Sequence, residues 1–480
     1  MPERNTIGSK ANSVIVLELN ELTPALMDRF IAEGHLPGFA KLRREATVCI
    51  TDAEEEPPNL EPWIQWVTVH TGLGYDEHRV FNLGDAARCE APRIWDIVSR
   101  AGKSVWVCGS MNGVCCSEEF NGLFLPDPWT PDVLPQPEAL FRPYYNLVRH
   151  YVQEYTRDTV PLSTADRLNF IQFMVRNGLS VKTVIDTLHQ LTDELKSPAH
   201  WRRAAILDRL QWDVFRHHWT RLKPTFATFF LNSTAHYQHY YWRHYEPDRF
   251  MVRPSEEDRA AYAAAILFGY RKMDRIVQEA LDLAGDTTTI VLCTALSQQP
   301  NLLYEEVGGR QIFKAVDISA LTQFAGVTAR YEYLPVMAEE FHLVFKTEED
   351  AADAEAKLRA LRLDDGTVVM RLVRDGERLF GGCAIGAFQS DEISVHTPQS
   401  NHVRRFNELF YPLTGLKSGR HHRDGLLWIR TPSKRHREVE RRIPLRQVMP
   451  SLLDLCGIDT AGRFAFPPLP ELHDRELVPA

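Results

Sequence analysis

The chain has 480 residues, of which 44% are hydrophobic and 25% are charged, and its formal net charge at pH 7 is −9. These values are ordinary for a globular protein with one large core, and the length leaves room for an accessory domain. The acidic balance argues against nucleic-acid binding, which requires a basic surface. No segment approaches the roughly 18–20 apolar residues of a membrane span. We therefore expect neither nucleic-acid nor membrane partners.

The cellular compartment is suggested by the N-terminus and the cysteines. The first ten residues contain no apolar run of the kind found in signal peptides. The eight cysteines follow no metal-binding or disulfide spacing. We therefore expect a cytoplasmic protein with reduced thiols.

Strands and helices alternate through the first part of the chain, residues 13–136. Residues 14–20 read as a buried strand, and Thr23-Pro24 starts a helix that runs to about Glu33. A short helix at 94–98 and a second strand at 104–108 follow. This alternation is typical of an α/β protein with a mostly parallel central sheet.

The remainder of the chain divides by periodicity into four further segments. We predict a helical insertion, a second part of the core, a small αβ cap subdomain and a last part of the core. Their predicted bounds are 137–223, 224–329, 330–395 and 396–480.

Histidines lie where a ligand site is expected in such a fold. His236 and His239 come just after the buried strand Phe226–Leu231, and a second pair stands at 421–422. Open α/β sheets bind ligands beyond the carboxyl ends of their strands. Imidazole is both a common metal ligand and a proton shuttle. The alternative is an aromatic helix start with partly buried histidines.

Several motifs together resemble the alkaline phosphatase superfamily, in particular its type I phosphodiesterase/nucleotide pyrophosphatase branch. The resemblance covers roughly residues 13–110, 225–300 and 415–457 and implies a three-layer α/β sandwich that acts on phosphate esters with two metal ions. The first strand ends in Asn20-Glu21 where the family has Asp-Gly, and the family's nucleophile helix is resembled by Trp63–Trp66, Thr71-Gly72 and Glu77-His78. His239 with Trp242 resembles the family's His-x-x-Trp. The family's closing elements are resembled by Gly419-Arg420-His421 and Pro450–Leu453.

The departures from the family pattern are concentrated at one metal site. Asn20 stands in place of an Asp, and residues 59–62 offer no hydroxyl where the family has its nucleophile. Ala235 and Ala295-Leu296 replace an Asp and an Asp-His pair. Asn, Ala and Leu cannot hold a hard divalent cation. The resemblance therefore implies a degenerate site in which the second family metal is lost.

The remaining histidines predict at most a mononuclear site. His236, His239 and His421 would give nitrogen ligands to one zinc-like ion, with Glu18 or Glu61 as an oxygen ligand or base. Chance His-x-x-His spacing is the alternative. Glu61 is our candidate general base, with the capping of the helix that follows as its structural alternative.

A cleft around these residues would bind the substrate. We predict Trp63, Gln65, Gln298 and Arg404 as substrate-binding residues and Asn20 as a catalytic residue alongside Glu61 and His239. The aromatic residues also suit a protein core, and Arg404 also suits a solvated turn.

Two functions stay open at this stage. One is a hydrolase or transferase, phosphodiesterase-like, for a small phosphate ester. The other is an inactive or repurposed protein that binds an anionic or glycosyl ligand. The sequence also leaves a homo-oligomer open.

Overall fold

The computed structural model describes residues 13–116, 120–130, 133–154, 162–195, 200–336, 339–387, 389–390, 392–397, 403–413 and 415–472. The strands within these ranges are, in chain order, β1 (Val14–Leu19), β2 (Thr47–Asp52), β3 (Val105–Cys108), β4 (Gly122–Leu125), β5 (Phe226–Leu231), β6 (Thr289–Cys293), β7 (Ser297–Pro300), β8 (Phe313–Ala315), β9 (Tyr331–Pro335), β10 (Phe341–Phe345), β11 (Arg362–Leu363), β12 (Met370–Asp375), β13 (Arg378–Cys383), β14 (Ser394–His396), β15 (Val403–Arg405), β16 (Phe410–Pro412), β17 (Gly419–His422), β18 (Asp424–Arg430), β19 (Arg437–Glu438) and β20 (Ile443–Pro444).

The α-helices of the same ranges are, in chain order, α1 (Pro24–Ala32), α2 (Pro37–Arg44), α3 (Pro62–Thr71), α4 (Tyr75–His78), α5 (Ile94–Arg100), α6 (Glu138–Glu154), α7 (Thr164–Arg176), α8 (Val181–Glu194), α9 (Ala204–Leu222), α10 (Ser233–Tyr245), α11 (Glu256–Tyr262), α12 (Ala265–Ala284), α13 (Ile318–Phe324), α14 (Glu348–Arg359), α15 (Phe406–Leu409) and α16 (Val448–Leu455). Within the described part of the chain, no helix combines the length and apolarity needed to cross a bilayer.

A central sheet organises the molecule. Its strand order is β19-β2-β18-β6-β1-β5-β3-β4, with β20 also paired to β2. The pairs are parallel except for those of β18, which runs antiparallel to both β2 and β6. The central strands β1, β5 and β6 are buried along their whole length, as their continuous apolar runs predict for a sheet covered on both faces.

Successive side chains of β1 enter two different hydrophobic cores. Ile15, Leu17 and Leu19 pack into a cluster that also receives α1, α2, α9 and α12. Val14 and Val16 pack on the opposite face, into a cluster that receives α3, α5 and α16. Alternation along a strand thus places one helical layer on each face of the sheet. The predicted three-layer α/β sandwich is confirmed.

Two further regions extend this sandwich. Helices α6 to α9 lie in the segment for which the sequence predicts a helical insertion, and α9 also belongs to the main core through Trp212 and Phe215. The small αβ unit has an antiparallel sheet of order β12-β13-β10-β9 covered by α14. Its hydrophobic cluster runs from Phe313 to Phe410 and so reaches past both ends of the predicted cap at 330–395.

The topology brings distant segments to one edge of the central sheet. Because β1, β5 and β6 are parallel, the residues that follow them meet at the same edge. Strand β18 runs the opposite way, so β17, which precedes it, reaches that edge as well. The segments that carry His239 and His421 are therefore neighbours although the two residues are 182 positions apart in the sequence.

Candidate metal centre

Three side chains converge at this edge: Glu21, His239 and His421. Glu21 Oε2 lies 3.2 Å from His239 Nε2 and 3.4 Å from His421 Nε2. The two imidazole rings have centroids 5.1 Å apart. One ligand atom from each residue lies within 4.8 Å of the other two, which suits a single metal ion. The predicted meeting of residues 239 and 421 is thus found in the structure.

Each of the three residues is held by a different element. Glu21 follows the end of β1 and has a left-handed backbone with φ of 62°. His239 lies in the second turn of α10, which starts directly after β5. His421 lies on β17, which pairs antiparallel with β7 so that His421 is opposite Gln298. A non-glycine residue at positive φ is uncommon and often marks a functional position.

The hydrogen bonds of the two imidazoles direct their Nε2 atoms towards Glu21. His239 Nδ1 lies 3.1 Å from the Gly419 carbonyl oxygen. A carbonyl only accepts, so Nδ1 carries the proton and the lone pair of Nε2 faces the Glu21 carboxylate. His421 Nδ1 lies 3.3 Å from Glu61 Oε2, and its buried Nε2 has no hydrogen-bond partner among the described residues. Lone pairs that converge in this way require a shared cation or proton.

The electrostatics of the three groups are unequal. Burial alone would raise the pKa of Glu21, but His421 and His239 outweigh it and hold that pKa well below its usual range. Burial, with a smaller contribution from Lys417, lowers the pKa of His239 to about 4. Burial also opposes the charged form of His421, but Glu61 and Glu21 raise its pKa. Near neutral pH, Glu21 is therefore ionised and His239 is a neutral potential ligand.

Two of the sequence-predicted residues support Glu21. Asn20 Nδ2 donates to Glu21 Oε1 at 2.8 Å and to Asn232 Oδ1 at 2.7 Å, while Asn20 Oδ1 accepts from Trp66 Nε1 at 2.8 Å. Gln298 Nε2 donates to Glu21 Oε2 at 2.5 Å. Both amides are buried. The structure therefore places Asn20 and Gln298 behind the carboxylate, where they orient it.

Glu61 lies at the centre rather than capping a helix. It occupies the position before α3, but its side chain makes no capping hydrogen bond. Its Oε2 contacts His421 Nδ1 instead, and the side chain is 32% exposed. Trp63, on the first turn of α3, lines the same cavity and donates from Nε1 to the Phe81 carbonyl at 2.9 Å.

The structure does not bring the other predicted residues into the group of three. His236 lines the cavity, but its ring packs on Tyr240 with centroids 4.9 Å apart. Gln65 is buried beneath the loop before α3 and donates to the Asn59 carbonyl at 3.0 Å. Arg404 lies on β15 of the small αβ unit, 6.0 Å from the ring of Phe324, and is not among the cavity-lining residues.

Glu18, expected as an alternative oxygen ligand, is committed elsewhere. Its Oε1 pairs with His70 Nε2 at 2.8 Å, and both side chains are almost fully buried. The pair lies inside the sandwich and joins β1 to the last turn of α3. Ala295 and Leu296, at the positions of the family's Asp-His pair, pack in the second hydrophobic cluster.

Sequence reasoning missed Glu21 as a ligand. In the resembling family this position is the Gly of the strand-ending Asp-Gly, so here the carboxylate has moved by one residue, from position 20 to position 21. The alternation of side chains along β1 could not predict where the Glu21 side chain points, because the left-handed backbone ends the alternation at that residue. The signal in the sequence was a Glu at the position where the resembling family has a Gly.

A second missed feature is the Asp208–Ser233 pair, which also lines the cavity. Ser233 Oγ donates to Asp208 Oδ2. Burial raises the pKa of Asp208 to about 7, although the Ser233 hydrogen bond opposes the shift. Nothing in the local sequence indicates this pair, since it joins α9 to α10.

One large cavity of about 1830 Å³ opens over the group of three. Glu21, Glu61, His239 and His421 are among its lining residues. Cationic side chains line it as well: Arg310, Arg371, Lys417, Arg420 and Arg423. The cavity thus combines a carboxylate–imidazole cluster with groups that suit an anionic ligand.

Comparisons with known proteins were informative only at the level of structure. No family model matches the chain, and no curated protein matches it. Among solved structures, a phosphonoacetate hydrolase from Sinorhizobium meliloti, in complex with phosphonoformate, matches with 11% identity and a TM-score of 0.39 over 93% of this chain and 95% of that chain. Human ectonucleotide pyrophosphatase/phosphodiesterase 5 matches with 8% identity and a TM-score of 0.43 over 93% of this chain and 96% of that chain.

A further match is the murine ectonucleotide pyrophosphatase/phosphodiesterase 5, in an inactive form in complex with AMP, with 9% identity and a TM-score of 0.42 over 95% of this chain and 97% of that chain. These proteins are members of the alkaline phosphatase superfamily, which the sequence motifs resemble. With identities this low and TM-scores below 0.5, the matches carry no information on what this chain binds or catalyses.

Proposed function

We propose that the chain is a hydrolase or transferase for phosphate or related esters that works with one zinc-like divalent ion held by Glu21, His239 and His421. The observation that carries this proposal is the convergence of three ligand atoms within 4.8 Å of one another. Two imidazoles and one carboxylate make a ligand set that is common in catalytic zinc sites, which keep a further position open for substrate or water.

The donor atoms fit such an ion. The Nδ1–H of His239 donates to the Gly419 carbonyl oxygen, and Nδ1 of His421 faces the Glu61 carboxylate. Metal-binding histidines usually have a partner of this kind, which fixes the tautomer. When bound, a divalent ion polarises a phosphoryl oxygen and stabilises the developing negative charge. The equivalents of the family's second site, Asn20 and residues 295–296, offer no comparable ligands.

The chain's own residues would provide binding and proton transfer. Lys417 and Arg420 line the cavity at the centre and would hold the anionic group of the ester. Glu61 is the partly exposed carboxylate next to His421, so it is our candidate for accepting the proton of the attacking water or alcohol. Its contact with His421 also gives it a positioning role.

Metal analysis paired with a bis-aryl phosphodiester assay tests this proposal. We expect one divalent ion per chain and slow turnover, because the usual hydroxyl nucleophile and second ion are absent. His239→Ala should lose both the ion and the activity. His244→Ala is the matched control, since His244 lies on the same helix and lines the cavity outside the group of three. Fast turnover that requires two metal ions would overturn the proposal.

The second candidate is a protein that binds an anionic or glycosyl ligand without converting it. It is favoured by residues 59–62, where the resembling family has its nucleophile and this chain has no hydroxyl. Absence of a bound ion and of turnover, together with measurable binding of an aryl phosphonate in calorimetry, would favour this candidate over the enzyme.

The proposal includes a cytoplasmic location. It is supported by the eight cysteines, all of which are free thiols and six of which are buried. Fractionation of cells that express the full chain tests it. Recovery of the chain in the secreted or envelope fraction would overturn it.

A further inference from the structure

We propose that the substrate of this site carries a long apolar chain, which occupies the part of the cavity walled by the helical insertion. The inference rests on the proposed function only for the position of the ester group at the metal centre. It names the substrate class as an amphiphile: an anionic phosphoryl head with an alkyl or similar tail.

The cavity is continuous from the metal centre to the insertion. Asn20, behind Glu21, donates to Asn232 at the end of β5. One residue before that strand end, the Phe230 carbonyl accepts from Gln211 Nε2 of α9 at 2.7 Å. Asn232, Phe230 and Gln211 all line the same cavity. The end of β5 and the middle of α9 therefore connect the polar centre to the helices of the insertion.

The far wall of the cavity is mostly apolar, although Arg167, His200 and Arg203 also line it. It is formed by α6, α7, α8 and α9, each of which contributes large aliphatic or aromatic side chains. These residues include Leu147, Val148, Phe170, Ile171, Leu191 and Leu210. At about 1830 Å³ the cavity exceeds the roughly 300–1,000 Å³ of common small-molecule sites. A small phosphate ester would leave the apolar end empty.

The apolar wall continues onto the surface at α7 and α8. Ile171 and Leu191 line the cavity and are also 56% and 45% exposed. Large exposed apolar side chains follow on the same two helices, among them Leu168, Val175, Val181 and Leu188. On each helix these side chains are three, four or seven residues apart and so share one face with Ile171 or Leu191. Exposed apolar faces of this kind often mark binding sites. Here they adjoin the open end of the cavity, where an apolar tail would enter or leave.

A series of p-nitrophenyl alkyl phosphodiesters tests the inference on the full chain. The methyl, butyl and octyl esters share one leaving group and differ only in the apolar chain. We expect KM to fall with chain length by up to about fourfold for each methylene that becomes buried, with little change in kcat. A KM that is the same for the methyl and octyl esters would overturn the inference.

Matched variants locate the tail. Ile171→Glu and Leu191→Glu place a charge in the cavity wall at exposed positions that tolerate substitution, and they should raise KM for the octyl ester at least tenfold while KM for the methyl ester stays unchanged. Gln172→Glu and Thr192→Glu are the controls, because they are the neighbouring exposed positions on the same two helices and belong neither to the cavity lining nor to the exposed apolar surface. An equal effect of the controls would show that the added charge acts without contact to the tail and would overturn the inference.

Calorimetry separates failure of this inference from failure of the proposed function. If none of the esters is hydrolysed, the proposed function fails, and binding of octylphosphonate is compared with that of methylphosphonate. Tighter binding of the octyl compound that is lost in Ile171→Glu would support the apolar site on its own. Affinities within twofold of each other would overturn it.

Discussion

Restoring the family's acidic residue at position 20 should destabilise this chain. In Asn20→Asp, a carboxylate oxygen replaces the amide nitrogen that now lies 2.8 Å from Glu21 Oε1. Two unit charges at that distance repel by about 6 kcal/mol at an effective dielectric constant of 20. Side-chain movement and proton sharing reduce this value, so we expect a loss of about 3–5 kcal/mol in the free energy of unfolding, as for other broken buried pairs.

The loss should depend on pH and on metal. The carboxyl pair in the folded variant binds a proton more tightly than the unfolded chain does, so the loss should be small near pH 5 and should grow as the pH rises towards 8. Added zinc should reduce it, because the cation neutralises both carboxylates. Urea denaturation of chelator-treated protein, with and without zinc, measures each of these effects.

A matched control makes the result specific to the charge pair. Asn177 is also buried, but its amide donates to the uncharged Phe173 carbonyl at 2.8 Å. Asn177→Asp should therefore be less destabilising than Asn20→Asp and should respond little to zinc. If Asn20→Asp unfolds within 1 kcal/mol of the unmodified chain at pH 8, the hydrogen bond from Asn20 to an ionised Glu21 is refuted.

Three further predictions follow from the cavity. Glu61→Gln should lower kcat while metal content stays at one ion, because Glu61 touches His421 without belonging to the group of three; loss of the ion in elemental analysis would contradict this. The pKa of Asp208 is raised from 3.8 to about 7, so the folded chain retains a proton that the unfolded chain releases, and this group should lower the stability by roughly 2–3 kcal/mol between pH 5 and pH 8. Asp208→Asn should remove that contribution in urea titrations, and an unchanged pH profile would count against it. Arg404→Ala should leave KM for every ester unchanged, since Arg404 does not line the cavity; a several-fold rise in KM would show that the small αβ unit closes over the site.

The sequence predicted the sandwich well because its central strands are unambiguous. β1, β5 and β6 are short, mostly apolar and fully buried runs, as expected for a sheet covered on both faces. The parallel order then brings the ends of β1 and β5 together, and the meeting of His239 and His421 follows from topology. Neither step requires knowledge of a side-chain contact.

The details of the site could not be read in the same way. Glu21 turns towards the histidines because its backbone is left-handed, and no local pattern announces that conformation. Gln298 reaches Glu21 through the pairing of β7 with β17, and Ser-Gln-Gln-Pro has none of the composition of a strand. Arg404 was assigned to the cleft from its charge alone, but its strand belongs to the small αβ unit.

Calorimetric titration of the chelator-treated chain with zinc tests the central claim most directly. Three ligands from Glu21, His239 and His421 predict one zinc ion per chain, with binding lost in Glu21→Gln and in His421→Ala. The same stoichiometry should persist in His236→Ala, because His236 lies outside the group. No binding, two ions per chain, or a loss in His236→Ala equal to that in His421→Ala would contradict the account.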